Sequence, residues 1–163
     1  MKFNLEVSNE LRQACPNYRG AAVYATVRNT LHSEGLWQEI DAFTRELQAT
    51  ETVDSIKQQT AIVATRDAYR ACGKDPSRYR PSAEALRRRL LRGLGLYQID
   101  TLVDLINLVS LRTGYSIGGF DADKIQGDNL CLGIGKAGEA FEGIGRGTLN
   151  IEGLPVYRDA IGG

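Results

Sequence analysis

The hydrophobic and polar positions at the start of the chain predict two strands with a short helix between them. Polar and apolar residues alternate through Lys2–Val7, which is the period of a half-buried strand. Ser8 or Asn9 can cap a helical turn that ends before Pro16. Tyr18–Arg28 alternates and is rich in β-branched and aromatic residues, which predicts a central strand.

The following segments carry the three- and four-residue spacing of amphipathic helices. Ser33 or Glu34 is predicted to begin the first of them. Its apolar positions are Leu36, Trp37, Ile40, Phe43 and Leu47. Thr52 is predicted to open further helix, because an apolar helical period continues from there toward Tyr69.

Capping signals predict two more helices in the middle of the chain. Ser82 is expected to cap an amphipathic helix that ends at Gly93 and Gly95. Asp100 is expected to cap the next helix, and Gly114 closes it. This last helix is apolar almost all round, which predicts that it is buried on most sides.

Glycine becomes frequent after Gly114, and the apolar runs become short. These runs predict strands at Ser116–Phe120, Asn129–Ile134, Ala140–Gly143 and Pro155–Arg158. Helices come first and short strands later, without regular β-α-β alternation, which favours an α+β fold over a doubly wound parallel sheet. The length of 163 residues suits one domain, so residues 1–163 are predicted to form a single domain.

Composition and spacing exclude several kinds of site. No apolar run approaches the length of about 18 residues that a membrane span needs. Cys15, Cys72 and Cys131 lie far apart, which argues against a disulfide framework and a zinc site. His32 is the single histidine, which argues against a catalytic triad and a two-histidine metal site within one chain. Gly133–Gly138 matches a dinucleotide-binding pattern only in its letters, because no helix pattern follows it. We therefore expect a cytoplasmic protein that holds neither a metal nor a cofactor.

Basic residues concentrate in one part of a chain whose formal net charge is zero. The segment 66–92 contains nine basic and three acidic residues, so the remainder of the chain is negative. The candidate RNA-binding residues are Arg78, Arg80, Arg87, Arg88, Arg89 and Arg92. A basic face can bind phosphates, but solvated helix faces and local ion pairs explain the same pattern. Tyr69, Tyr79 and Tyr97 lie near this segment and could stack nucleotide bases or pack at the edge of the core.

A polar stripe crosses the apolar helix that follows Asp100. Asp104, Asn107 and Ser110 are three residues apart and therefore lie along one side of that helix. Buried polar groups need hydrogen-bond partners. Either they hold the following glycine-rich segments in place, or they contact a ligand.

The paired glycines Gly118 and Gly119, followed by Asp121, form a second candidate feature. Paired glycines weaken a strand and mark a bulge or a close approach to the backbone. A pocket wall and a tight crossing of two strands both require such an approach. Together with the polar stripe, these residues give a candidate pocket of Asp104, Asn107, Ser110, Gly118, Gly119 and Asp121, with its catalytic residue unknown.

The run from Leu86 through Asp121 resembles the editing domain in the beta chain of bacterial phenylalanyl-tRNA synthetase. In that family a VVDVTNYV helix precedes G-x-P-x-H-A-F-D and a GGIVVR…GE strand pair. The matching positions here, in the same order, are Val103-Asp104, Asn107, Gly114, Phe120-Asp121, Gly127 and Gly138-Glu139. Cys15-Pro16-Asn17-Tyr18 is similar to the family's ACPRY strand, and Tyr79-Arg80-Pro81-Ser82 with Glu84 resembles the branch found without the synthetase.

This resemblance implies that helices pack on a β-sandwich-like core. It also implies a pocket that hydrolyses the ester of tyrosine wrongly attached to tRNA, by a positioned water in a polarising environment. The expected partner is then tRNA or aminoacyl-tRNA, and neither DNA nor a membrane is expected.

Two departures from the family pattern bear on catalysis. The pocket histidine falls on Gly118, and the pocket glutamate would lie beyond Gly163, so the domain is expected to lack its C-terminal strands. One open function is an editing hydrolase or tRNA-binding domain that acts in trans. The other is a noncatalytic module that binds an amino acid or a protein partner in the remnant of the pocket. A structural or oligomerising domain is a third alternative, and the sequence leaves open whether the chain is an enzyme.

Overall fold

Six α-helices and five short strands form the regular structure of residues 3–143 and 147–163, which the computed structural model describes. The helices are α1 (Asn9–Ala14), α2 (Glu34–Thr50), α3 (Val53–Ile56), α4 (Thr60–Ala71), α5 (Ser82–Leu91) and α6 (Thr101–Thr113), with a 3₁₀ helix at Ala122–Lys124. The strands are β1 (Asn4–Val7), β2 (Asn129–Ile134), β3 (Ala140–Gly143), β4 (Gly147–Asn150) and β5 (Pro155–Arg158). This mixture confirms the predicted α+β class.

The chain divides into two compact units. The sheet unit lies within Met1–Ala25, Asp67–Tyr79 and Phe120–Gly163. The helical unit comprises Thr26–Arg66 and Arg80–Gly119. The assignment of residues 1–163 to one domain stays a prediction.

The sheet unit contains a three-stranded sheet in the order β1-β2-β5 and a two-stranded sheet of β3 and β4. β1 runs parallel to β2, whereas β2 and β5, like β3 and β4, are antiparallel. Helix α1 starts directly after β1, since the Ser8 hydroxyl accepts a hydrogen bond from Leu11 N at 3.2 Å. Ser8 N donates to Leu132 O at 2.9 Å, so the same residue ties the helix cap to β2. The cap predicted at this position is confirmed.

The helical unit has a core formed by α2, α5 and α6. Leu47, Leu90 and Leu111 form one fully buried cluster, one residue from each helix. Ile56, Ile62 and Ala83 form a second cluster around α3, α4 and α5. Burying a leucine or isoleucine side chain contributes about 1.5–3 kcal/mol, so these clusters hold the helices together.

The helix boundaries follow the local signals in the sequence. Ser33, Thr52 and Asp100 cap α2, α3 and α6 by accepting backbone hydrogen bonds. Gly114 ends α6 in the left-handed conformation with φ of 75°. A side chain at such a φ is strained, which explains the glycine. These predictions are confirmed.

Two predicted strands are wrong. Tyr18–Arg28 has no regular structure, and its side chains are largely exposed, Val23 by 91%. Ser116–Phe120 is likewise irregular and exposed. β-branched alternation favours a strand only where a neighbouring strand and a packed face are available. Neither segment has such a partner among the described residues, whereas β4, which was not predicted, pairs with β3.

The predicted cap at Ser82 is also wrong. Ser82 is the first residue of α5, and Pro81 occupies the cap position without a side-chain hydrogen bond. Proline and serine both favour helix starts. The Pro81-Ser82 pair therefore predicted the correct helix, but the cap position lies one residue earlier than predicted. The strand predicted at Lys2–Val7 is confirmed over Asn4–Val7, while Lys2 lies outside the described residues.

Candidate functional site

Two residues of the polar stripe on α6, Asp104 and Ser110, make hydrogen bonds within the helical unit. Asp104 is fully buried and accepts hydrogen bonds from Trp37 Nε1 at 2.8 Å and Ile99 N at 3.2 Å. The buried Ser110 hydroxyl donates to Tyr115 O at 2.6 Å, which fixes the turn after the helix. Asn107 is half-buried. Asp104 and Ser110 therefore have structural partners, and their assignment to a ligand pocket stays a prediction.

The face of α6 away from these partners is apolar and partly exposed. Leu105 and Val109 both have more than a third of their surface exposed. The exposed residues of α6 are Leu105, Val109, Arg112 and Thr113, and the other nine are buried or half-buried, so the prediction that α6 is buried on most sides is confirmed.

The remaining predicted pocket residues lie in two different units. Gly118 and Gly119 are exposed at the end of the helical unit, where a Cβ on Gly119 would lie 3.3 Å from Ile106 Cδ1. The predicted close approach of the backbone thus occurs against α6. Asp121 belongs to the sheet unit, where its carboxylate accepts a hydrogen bond from Asp123 N at 3.1 Å and caps the 3₁₀ helix.

Three of the candidate RNA-binding arginines bind carboxylates within the helical unit. Glu84 is fully buried and is contacted by Arg88 at 2.8 Å and by Arg80 at 3.9 Å, in addition to Arg66 at 2.8 Å. Arg87 is buried and binds Glu51 at 2.5 Å, and it also donates to Leu111 O. These contacts are local ion pairs of the kind that the sequence left as an alternative to phosphate binding.

The other three candidate arginines have no carboxylate partner within residues 3–143 and 147–163. Arg78, in the sheet unit, and Arg92, at the end of α5, are exposed. Arg89 donates to backbone carbonyls and lies against the ring of Tyr97, with its guanidinium carbon 3.8 Å from the ring centroid. The assignment of these arginines to RNA binding stays a prediction.

The sheet unit contains a cavity of about 430 Å³ that the sequence did not predict. Its walls include Gly133 and Lys136 beside β2, and Arg158 and Asp159 at the end of β5. A Cβ on Gly133 would lie 3.2 Å from Arg158 Cδ, so glycine leaves room for that arginine. The sequence pattern touched this region only at Gly138-Glu139, which was named as a family position. Glu139 binds the wall residue Arg158.

Fixed charges line this cavity. Arg158 donates from Nη1 to Glu139 Oε2 at 2.7 Å and from Nη2 to Glu139 Oε1, which is a two-pronged ion pair. The hydrogen bonds from Arg158, with a further one from Lys136 N, lower the pKa of Glu139 to about 2. Backbone hydrogen bonds from Gln126, Ile161 and Gly162 lower the pKa of Asp159. At neutral pH the wall therefore carries the cation Arg158, which is held by its ion pair with Glu139, and the anion Asp159.

Replacing Glu139 with glutamine is expected to lower the free energy of unfolding by about 1–2 kcal/mol at pH 7. The pKa of Glu139 falls from its ordinary 4.5 to about 2 on folding, so this stabilisation exists above pH 4.5 and disappears as pH falls toward 2. Urea denaturation at pH 7, 4 and 2.5 measures the difference. Glu142→Gln is the control, since among the described residues the Glu142 carboxylate accepts a hydrogen bond only from the Thr148 hydroxyl, at 3.3 Å. An E139Q difference that is the same at every pH contradicts the assignment.

Cys72 and Tyr18 of the sheet unit are protonated at neutral pH. Burial, with a contribution from Cys15, raises the pKa of the Cys72 thiol to about 11. Burial, with a contribution from Tyr157, raises the pKa of Tyr18 to about 12. A thiol with such a pKa is a poor nucleophile. Cys15, Cys72 and Cys131 are free thiols of intermediate burial.

The described residues contain neither a candidate metal site nor a candidate membrane-spanning helix. No group of three or more histidine, cysteine, aspartate or glutamate side chains there is placed to hold a metal ion. Within the same ranges, no helix is both long enough and apolar enough to cross a membrane.

Comparison with known proteins connects the chain to a domain of a tRNA ligase. The model of the B3/4 domain family matches residues 64–162. The phenylalanine–tRNA ligase beta subunit of Solibacter usitatus (strain Ellin6076) is 33% identical over 91 residues, which is 56% of this chain. The chain spans 12% of the length of that relative. No solved structure gives a significant match.

Proposed function

The chain belongs to the B3/4 domain family, and from this premise we propose that it binds tRNA or aminoacyl-tRNA. The observation that carries the proposal is the family match over residues 64–162, which include α5 and α6. The half-buried Arg89 and the exposed Arg92 at the end of α5 support it, because neither is neutralised by a carboxylate within the described residues. A phosphate backbone is the partner that such guanidinium groups recognise.

Binding of labelled tRNA, measured by fluorescence anisotropy at several salt concentrations, tests the proposal. The affinity is expected to fall as salt rises, because arginines that contact phosphates displace counterions. Replacing both Arg89 and Arg92 with glutamine is expected to weaken binding about tenfold and to flatten the salt dependence. Arg112→Gln is the control, since Arg112 is already paired with Glu39 at 3.0 Å. Absence of binding by the unmodified protein at low salt contradicts the proposal.

A finer part of the proposal is editing in trans, by a cytoplasmic protein that acts without a synthetase around it. The reaction would be hydrolysis of the ester between a wrong amino acid and tRNA, with a water positioned and polarised by a pocket. The arrangement of helices on a β-sandwich-like core, as in the synthetase domain, belongs to this part as well. Incubation with a panel of mischarged tRNAs tests it. Release of amino acid at the buffer rate from every tRNA contradicts editing without contradicting tRNA binding.

A second candidate function is noncatalytic binding of an amino acid in the sheet unit, or of a protein partner there. The cavity of about 430 Å³ favours it, because Arg158 and Asp159 offer opposite charges to a small zwitterion. An amino acid at one hundred times its Kd stabilises the folded state by about 2.7 kcal/mol. A thermal-shift screen of the amino acids measures this. The absence of a shift for every amino acid contradicts the small-molecule function.

A further inference from the structure

The connection between α5 and α6 in the helical unit presents apolar side chains to solvent. Leu94, Tyr97 and Ile99 all have more than half of their surface exposed. Arg89 nevertheless fixes the connection, because its Nε donates to Gly95 O at 2.5 Å and its Nη2 donates to Leu94 O at 3.4 Å. Leu94 N in turn donates to Arg89 O at 3.2 Å. The exposed residues are therefore held in place and do not need to be ordered when a partner binds.

Tyr97 is the residue of this connection best placed for contact with a ligand. The Arg89 guanidinium carbon lies 3.8 Å from the ring centroid, and Arg89 Nη1 donates to the Tyr97 hydroxyl at 3.1 Å. The residue is still 64% exposed, although the guanidinium covers part of the ring. Tyr79 is less exposed and lies under Lys74 Nζ, 3.9 Å from its ring centroid. Burial raises the pKa of Tyr69, the third tyrosine near the basic segment.

The charged group that contacts Tyr97 is the cation Arg89. Arg87 and Arg88 are neutralised by Glu51 and Glu84, whereas Arg89 and Arg92 have no carboxylate partner in the part of the chain that the structure describes. The connection itself, residues 93–99, contains no acidic residue. Asp100 follows it, and its carboxylate accepts a hydrogen bond from Val103 N at 2.9 Å at the start of α6. An anionic partner with flat aromatic groups matches this combination better than an acidic or neutral protein surface does.

We propose that Tyr97, backed by Arg89, is a stacking platform for an unpaired base of an RNA strand, with the exposed Arg92 at the end of α5 as a contact for the phosphate backbone. The inference rests on the proposed function and names the place where the RNA binds. Bases within a duplex are already stacked on each other, so a single-stranded end or loop is the part of the RNA that can use this ring. Arg89 stiffens the platform and raises its attraction for a phosphate at the same time.

The test compares a short single-stranded RNA that contains 2-aminopurine with a blunt-ended RNA duplex of similar length, which has no unpaired base. Tyr97→Ala is expected to weaken single-strand binding about tenfold, and to change duplex binding by less than about twofold. Tyr97→Phe keeps the ring and is expected to stay within about twofold of the unmodified protein on both RNAs. Quenching of the 2-aminopurine fluorescence should be lost only in Tyr97→Ala, since it reports stacking directly.

Tyr115→Ala is the matched control, because Tyr115 is 63% exposed in the same unit and its side chain makes no hydrogen bond or ring contact with another described residue. It should bind and quench as the unmodified protein does, and circular dichroism should show the same helix content in all variants. Equal binding by Tyr97→Ala and the unmodified protein overturns the platform but leaves the proposed function standing. No RNA binding by the unmodified protein overturns both. A Tyr97→Ala protein that binds RNA normally but changes its oligomeric state in sedimentation assigns the exposed connection to protein contact instead.

Discussion

Replacing Glu84 with glutamine is expected to lower the free energy of unfolding by about 3–5 kcal/mol, because the change breaks a buried ion-pair network from its centre. The Glu84 side chain is 0% exposed, and its two oxygens are contacted by Arg66 and Arg88, each at 2.8 Å. Glutamine keeps the volume but removes the charge, and its amide NH₂ cannot accept a hydrogen bond. Two guanidinium groups with little access to water then lose their counter-charge. Urea denaturation followed by circular dichroism gives the difference.

Glu39→Gln is the matched control for Glu84. Glu39 also pairs with an arginine, Arg112 at 3.0 Å, but both side chains are largely exposed. Exposed pairs contribute about 0–1 kcal/mol, so this variant should unfold almost as the unmodified protein does. Removing the charge of Arg88 as well, in a Glu84→Gln/Arg88→Met double variant, should recover part of the loss. A Glu84→Gln loss no larger than that of Glu39→Gln contradicts the network.

Replacing Asp104 with asparagine is expected to lower the free energy of unfolding by about 2–3 kcal/mol. Asp104 accepts one hydrogen bond at each oxygen, from Trp37 Nε1 at 2.8 Å and from Ile99 N at 3.2 Å. Asparagine has one acceptor oxygen, so its NH₂ must face one of these buried donors and leave it unsatisfied. Trp37 is the single tryptophan of the chain, and its fluorescence during urea denaturation reports both the stability and the local environment.

A double-mutant cycle separates a structural role of Asp104 from a role in ligand binding. Trp37→Phe removes the donor that Asp104 serves, so the double variant should lose less stability than the two single variants added together. Circular dichroism replaces fluorescence as the probe for variants that lack Trp37. Additive losses contradict a direct contribution of the hydrogen bond. Unchanged stability of Asp104→Asn together with lost tRNA or amino acid binding would instead support the predicted pocket.

The helix starts were predictable because each depends on residues within one turn. The side chains of Ser33 and Asp100 accept hydrogen bonds from backbone N–H groups three residues later. Both partners of each contact therefore lie within one short stretch of sequence. The error at Ser82 is of the same local kind, since the preceding Pro81 takes the cap position.

The strands were less predictable because a strand needs a partner from elsewhere in the chain. β1 pairs with β2, and Asn4 lies opposite Asn129. Tyr18–Arg28 has a better alternating pattern than β4, yet β4 is the segment that finds a partner in the described structure. Propensity cannot decide between them, because it describes how well a segment fits a sheet and says nothing about whether a sheet edge is available.

The candidate site was predictable as a region but not residue by residue. The run Arg87-Arg88-Arg89 is uniform in sequence, but Arg87 pairs with Glu51, Arg88 pairs with Glu84 and Arg89 lies on Tyr97. Neighbouring residues on a helix point about 100° apart, so the packing of α5 against other segments gives each arginine a different partner. The cavity beside β2 escaped prediction for a related reason, since Glu139 and Arg158 meet only after β2 and β5 pair.

The sequence by itself determined the α+β class, most helix boundaries and the relation to the B3/4 domain family. Capping, helical periodicity and the order of family positions are all carried by short stretches of chain. Only the tertiary structure decided which segments became strands, which arginines remained without a carboxylate, and that Tyr97 stands exposed on Arg89. Strand pairing and the neutralisation of buried charge depend on groups far apart in sequence, such as Trp37 and Asp104, and folding alone brings such groups together.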